Sequence, residues 1–168
     1  LGAARTAAIE VSGRQNTALE GTAEALLALL PSAPVPAGPV AASAVDVIAP
    51  NLKRRYSGVT STVLRLLPVQ AQGVAIATAG PALPAALPRL RLRDLPLMPR
   101  EGPSGPRVWH ARRNVEMLAG LALRALGKRH ALLFTSAAQR RHSAYTRWLL
   151  RRMDAVVATS SRSAAFLE

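Results

Sequence analysis

Three basic stretches of this sequence place hydrogen-bond donors where an anion could be held. In Pro50-Asn51-Leu52-Lys53-Arg54-Arg55-Tyr56-Ser57-Gly58-Val59-Thr60, a basic triplet precedes a glycine that leads into an apolar, helix-like run. Free backbone N–H groups and the positive end of a helix at that glycine would suit a phosphate. The pattern is neither a Walker loop nor GxGxxG, and a βα turn with solvated charges fits it equally. In Trp109-His110-Ala111-Arg112-Arg113-Asn114-Val115-Glu116, one histidine, two arginines, an asparagine and a glutamate gather at an expected strand end and helix start. Arginine forks grip phosphate with two parallel hydrogen bonds. His110 could donate to a sugar hydroxyl or shuttle a proton, while Glu116 near a helix start also serves as ordinary dipole compensation. The third stretch is Thr135-Ser136-Ala137-Ala138-Gln139-Arg140-Arg141-His142. In the helix expected after it, Arg140, Arg147 and Arg151 share one stripe and Tyr145, Trp148 and Leu149 form another face. That is either a core-facing helix with a solvated back or a basic surface beside an anionic acceptor or bilayer.

Other chemistries are excluded by what the chain lacks. With three His, no Cys, no HExxH and no ligand-spaced cluster, no metal site is expected. There is no GxSxG elbow. No carboxylate pair is evident either, Asp94 falling in a loop and Asp154 at a helix–strand junction. This stretch of chain alone looks short of catalytic machinery.

The net charge is +13. Residues 1–44 carry Arg5 and Arg14 against Glu10, Glu20 and Glu24, so residues 45–168 hold the whole excess. Such a field attracts nucleic acid, anionic lipid headgroups or phosphorylated substrates. Hydrophobic residues make up 49 %, enough for a core, but aromatics only 4 %, so the core is expected to be lean and rich in alanine. No stretch nears the roughly 20 apolar residues of a membrane span, and nothing resembles a signal peptide. The start at Leu1, without Met, suggests a fragment.

The elements that would position these residues alternate. Thr17 to Leu30 reads as a short helix stopped by Pro31, and Pro31 to Ser43 as a Pro/Ala-rich linker, marking residues 1–44 as an extension. Strands are expected at Val45–Ala49, Gly73–Ala79, Arg107–His110, Ala131–Thr135 and Ala155–Thr159. Helices are expected at Val59–Leu67, ended by Pro68, and at Asn114–Leu126, capped by Asn114 with Met117, Leu118, Leu121 and Ala125 on one face. A further helix is expected at about Arg141–Met153, and a last one after Ser160 or Ser161. The Pro-, Leu- and Arg-rich segment Pro81–Pro106 has no assigned structure. Short apolar strands between amphipathic helices predict an α/β fold: a Rossmann-like domain with a mainly parallel sheet. Ligands in such folds collect at the carboxyl ends of the strands, where the three basic stretches stand.

The strings VIAPNLKRRYSGVTSTV (47–63), RVWHARRNVEMLAG (107–120), LLFTSAAQRRHSAYTRWLLRRMDAVVATS (132–160) and SRSAAFLE (161–168) resemble the N-terminal part of bacterial lipopolysaccharide core mannosyltransferases. These belong to the retaining glycosyltransferase family 4, with the two-domain GT-B fold. The resemblance covers about Val45 to Glu168 and implies an acceptor-side N-terminal domain at residues 45–168. The C-terminal half that grips the nucleotide sugar and carries an E-x7-E motif lies beyond the sequence, and any catalytic residues would be expected there. The resemblance implies GDP-mannose as donor substrate, no cofactor, and a lipid-linked core oligosaccharide as acceptor. It implies that Ser57, Gly58 and Val59 approach the donor diphosphate, and that His110, Arg112, Arg113 and Glu116 line the acceptor side. Ser136, Arg140 and Arg141 would join them; many members of that family carry a histidine where Ser136-Ala137 stands. The expected setting is the cytoplasmic face of the inner membrane, held peripherally by anionic lipid, with no specific nucleic acid as partner. The rival readings are a basic nucleic-acid-binding module and an inactive truncated product.

Overall fold

The computed structural model describes residues 5–6, 37–55, 57–81 and 83–167. The helix expected at Thr17–Leu30 lies outside them. Among the described residues eight strands form one sheet: β1 (Arg5–Thr6), β2 (Gly38–Pro39), β3 (Val47–Pro50), β4 (Ile76–Ala79), β5 (Pro88–Leu90), β6 (Arg107–Ala111), β7 (His130–Ser136) and β8 (Ala155–Ala158). Their order is β1-β8-β7-β6-β3-β4-β5-β2, and every pairing between them is parallel. The helices are α1 (Gly58–Gln70), α2 (Asn114–Ala125), α3 (Ala144–Leu150) and α4 (Ser161–Ala164).

Adjacent residues of a strand point to opposite faces, and both faces of this sheet are covered. Ile48 belongs to a core with Trp109, Met117, Leu132, Phe134 and Leu149, drawn from β6, α2, β7 and α3. Its neighbour Ala49 belongs to a second core with Leu67, Ile76 and Leu87, drawn from α1, β4 and the approach to β5. The α/β, Rossmann-like parallel sheet expected from the sequence is therefore the one observed.

From β3 the chain builds β4 and β5 outward on one side, then returns to build β6, β7 and β8 on the other. The order thus reverses between β3 and β6, and a crevice opens at the carboxyl ends of strands at such a point. Two close approaches shape it. A Cβ on Gly80, just after β4, would stand 1.9 Å from the Asn51 carbonyl oxygen, so only glycine lets the ends of β3 and β4 meet there. A Cβ on Gly120 would stand 2.6 Å from both Leu132 Cδ2 and Trp109 Cδ1, so α2 lies directly on the sheet.

Several elements differ from the sequence reading for local reasons. Pro68 does not end α1, which runs on to Gln70; proline's fixed φ is helical, and in the last turn only one backbone bond is lost. Asn114 is the first residue of α2 and not its cap: Arg113 holds the extended cap position, and Asn114 Nδ2 donates to Thr146 Oγ1 (2.8 Å) across to α3. The buried face of α2 is Glu116, Met117, Gly120 and Leu123, and Leu118 is 47 % exposed. α3 begins at Ala144, later than Arg141, since Ser143 caps it by accepting from the Thr146 N–H. Tyr145 and Trp148 stand outward, and Thr146, Leu149 and Leu150 supply the buried face. Part of the Pro/Ala-rich stretch pairs with the sheet, Gly38 facing Pro88 and Pro39 facing Arg89.

The segment Pro81–Pro106 contains β5 and a 3-10 turn at Leu92–Asp94. It is tied down by Arg107, which is 1 % exposed and donates to the carbonyls of Val45 (2.9 Å), Pro99 (2.7 Å) and Ala42 (2.8 Å). Burial lowers the pKa of this guanidinium, and Asp46 partly offsets the effect. A charged residue thus serves as the staple of an apolar layer, satisfied by backbone carbonyls on three sides.

Candidate functional site

The reversal point brings three chain segments together through one side chain. Arg113 is the N-cap residue of α2. Its Nη1 donates to Asn51 Oδ1 (2.6 Å) after β3 and to Glu116 Oε1 (2.9 Å) in α2. Its Nη2 donates to Ser57 Oγ (2.8 Å) and Thr60 Oγ1 (3.0 Å) at the start of α1. Thr60 in turn donates to Asn51 Oδ1 (3.1 Å). Glu116 is fully buried, and its other carboxylate oxygen accepts the Arg112 N–H (2.8 Å), satisfying an amide ahead of the helix. The indole N–H of Trp109 donates to the Glu116 carbonyl (2.7 Å). Ser57, Arg113 and Glu116, expected at the ligand, therefore turn their polar atoms inward and fix the frame of the crevice.

In front of this frame lies a cleft of about 920 Å³. Of the residues expected to bind, Gly58, Val59, Arg112, Ser136, Arg140 and Arg141 line it. His110 stands just behind, its Nε2 2.7 Å from the hydroxyl of Thr135, which does line the cleft. Burial first, and the neighbouring Arg112 second, lower the His110 pKa to about 4. The ring is therefore neutral near pH 7 and can exchange one hydrogen bond with Thr135 in either direction. His142, also in the cleft wall, sits 3.3 Å from Ser136 Oγ. Its pKa is lowered by burial and then by Arg140 and Arg147.

The electrostatics of the cleft are one-sided. Arg112 shows no side-chain partner, and its Nη1 is buried without a hydrogen bond among the described residues. Desolvation lowers its pKa; Glu116 opposes the effect and Arg113 adds to it. The same cleft is lined by the N-terminus of α1, whose first turn holds no acidic residue and whose Ser57 makes no side-chain cap. The first amides of a helix lack internal partners and carry partial positive charge. With Arg140 and Arg141 in its wall and no carboxylate among the described residues that line it, this cleft suits a multiply charged anion. No group of three or more His, Cys, Asp or Glu that could hold a metal occurs among the described residues.

The sequence reading did not assign roles to Asn51, Thr60 and Thr135, and left open whether His142 belongs to the site. Their signal was position alone: Asn51 directly follows β3, Thr135 is at the carboxyl end of β7 with His142 in the loop after it, and Thr60 is in the first turn of the helix after β3.

Fold and site together define a Rossmann-like α/β domain with an anion-suited cleft at its topological switch point. No family model and no solved structure matches the chain. It is 59 % identical over 127 residues to the lipopolysaccharide core biosynthesis mannosyltransferase LpcC of Rhizobium leguminosarum bv. viciae, covering 74 % of this chain and 36 % of that protein. It is 55 % identical over 127 residues, with the same coverage, to the lipopolysaccharide core biosynthesis mannosyltransferase LpsB of Rhizobium meliloti (strain 1021). At such identity the chain is a homologue of part of these lipopolysaccharide core mannosyltransferases, and it spans about a third of their length.

Proposed function

We propose that residues 45–168 are the acceptor-side, N-terminal domain of a family 4 glycosyltransferase with the GT-B fold. The whole enzyme transfers mannose from GDP-mannose to a lipid-linked lipopolysaccharide core acceptor, with retention at the anomeric carbon. The observation that carries this reading is that the Arg112 side chain, whose Nη1 has no hydrogen-bond partner among the described residues, and the uncapped start of α1 line the same cleft. A diphosphate leaving group accumulates negative charge as the glycosidic bond to it breaks, and preorganised donors aimed at that charge lower the barrier. Gly58 and Val59 supply backbone amides, Arg112 supplies the cation, and Ser57 holds the turn through Arg113.

His110, Ser136, Arg140 and Arg141 act on the acceptor side, with His110 working through Thr135. Among the described residues no carboxylate lines the cleft, and in this reading the second half of the enzyme supplies the remaining catalytic groups. No cofactor or metal takes part in this scheme. None of the described helices is long and apolar enough to cross a membrane; the enzyme sits peripherally on the cytoplasmic face of the inner membrane, where its acceptor is anchored.

The test is transfer of labelled mannose from GDP-mannose to lipid-linked core acceptor, with the chain extended through a donor-binding half. Label should enter the lipid and be lost on Arg112→Ala or His110→Ala in proteins that still fold. Absence of transfer from GDP-mannose or any other nucleotide sugar, by a folded two-domain protein, would refute the assignment.

A further inference from the structure

Arg112 and Asn114 flank the inward-turned Arg113, and both line the cleft. Asn114 is half-buried and is the first residue of α2. Its Nδ2 donates to Thr146 Oγ1 (2.8 Å) in α3. Thr146 is buried and held in its turn by Ser143: its N–H donates to Ser143 Oγ (3.2 Å), and its Oγ1 lies 3.0 Å from the same oxygen. The carboxamide is thus fixed from one side by a buried hydroxyl. Its own oxygen, Oδ1, has no hydrogen-bond partner among the described residues.

That oxygen differs in kind from the cations around it. The side chains of Arg112, Arg140 and Arg141 in the cleft wall donate and never accept. An ionised phosphate offers them lone pairs but has no hydrogen to give an amide oxygen. A sugar hydroxyl has both, so it can donate to Oδ1 while accepting from a cation or a backbone N–H. Uncharged groups accompany Asn114 in the wall. Thr135, Ser143 and Thr146 bring hydroxyls, and His110, bonded to Thr135, is neutral near pH 7. The cleft therefore carries two kinds of group: cations that suit a phosphate, and hydroxyls with one oriented amide that suit a carbohydrate.

We infer that Asn114 is a specificity-determining residue that accepts a hydrogen bond from a hydroxyl of the sugar held in the cleft, with Thr146 as the positioning residue that aims its amide. The inference deepens the sugar-transfer reading and rests on it for the class of ligand. The hydroxyl belongs either to the hexose of the nucleotide sugar or to the acceptor sugar, and the recognising chemistry is the same for both. A tie between α2 and α3 with no ligand would need only the bond to Thr146, and its loss would lower stability without changing substrate constants.

The experiment uses the chain extended through a donor-binding half, with GDP-mannose and lipid-linked core acceptor. Asn114→Ala should lower kcat/KM roughly threefold to tenfold, the range of one hydrogen bond between uncharged partners. A KM raised for GDP-mannose assigns the hydroxyl to the donor hexose, and a KM raised for the acceptor assigns it to the acceptor sugar. A fall in kcat with both KM values unchanged places the bond in the transition state. Thr146→Val should change the same constant in the same direction, and Thr146→Ser, which keeps the oxygen, should restore it. Affinity for inorganic pyrophosphate should be unchanged in Asn114→Ala, since an amide oxygen gives an anion nothing. Constants within about twofold of the parent in Asn114→Ala, a loss of pyrophosphate affinity in that variant, or no difference between Thr146→Ser and Thr146→Val would each overturn the inference. If the extended parent transfers no sugar, the enzymatic reading falls by itself, and the inference is read by NMR on the 168-residue chain. Methyl α-mannoside should then shift the Asn114 side-chain amide and bind more weakly to Thr146→Val; an unmoved amide would overturn the inference as well.

Discussion

Replacing Arg113 by methionine should unfold the site from its centre. The guanidinium is 10 % exposed and Glu116 is fully buried, so the pair is sheltered from solvent screening. Methionine fills comparable space but removes the contacts to Asn51, Glu116, Ser57 and Thr60 at one stroke. The neutral oxygens partly recover, since Thr60 can still donate to Asn51. Glu116 does not: one oxygen keeps the Arg112 N–H, but its charge loses its hydrogen-bonded counter-ion in the interior. Breaking a buried pair from one side costs about 3–5 kcal/mol. For a domain of this size that corresponds to a melting temperature lower by on the order of 10 °C. Urea unfolding of the two proteins measures the cost, and Glu116→Gln in the Arg113→Met background measures its cause. Removing the stranded charge should restore at least about 1 kcal/mol, a coupling that independent sites would not show. An Arg113→Met protein within about 1 kcal/mol of the parent would refute the claim that this guanidinium holds the ends of β3, α1 and α2 together.

Three further outcomes follow from particular contacts. Gly120→Ala forces a methyl against Leu132 and Trp109 at 2.6 Å, and thermal melts should show a loss of about 1–3 kcal/mol from overpacking. Arg112→Gln should leave thermal stability unchanged or raised, since it removes a desolvated cation without a partner, yet lower affinity for inorganic pyrophosphate at least about tenfold in calorimetry. Unchanged pyrophosphate binding would remove Arg112 from the anion site. His110 has a folded-state pKa of about 4, below the ordinary 6.5, so between those values the unfolded chain binds the extra proton. Stability is therefore full above about pH 6.5 and falls as pH drops toward 4, by as much as about 3 kcal/mol from this group. His110→Asn should flatten that slope, and an NMR titration of His110 near 6.5 would contradict it.

The fold was readable because the apolar runs are short, regularly spaced and interrupted by glycine and proline. Val47–Pro50, Arg107–Ala111 and His130–Ser136 all pair close to where the patterning puts them. What failed to show was anything set by a distant partner. Asn114 looks like a cap until Thr146 arrives from α3 to take its amide. Tyr145 and Trp148 look like a core stripe at helical spacing, but Leu149 and Leu150 supply the buried side and leave the rings outside. Pro88–Leu90 reads as irregular because a strand of three residues at the flank of a sheet leaves no periodicity to detect.

The pair Arg112-Arg113 shows why residue type locates a site but does not assign its roles. The two are neighbours of identical chemistry at the end of one strand, and the sequence alone gives both to the ligand. Their backbone positions separate them: Arg113 takes the extended conformation of an N-cap and turns its fork back under α2, where Glu116, Asn51 and the start of α1 satisfy it. Arg112, one residue earlier, has its own amide accepted by Glu116 and projects its side chain to the cleft. With its neighbour's guanidinium hydrogen-bonded to Glu116 and its own Nη1 without a partner among the described residues, the pair offers an incoming anion Arg112 rather than Arg113. The same buried carboxylate therefore neutralises the structural arginine and orients the backbone of the free one.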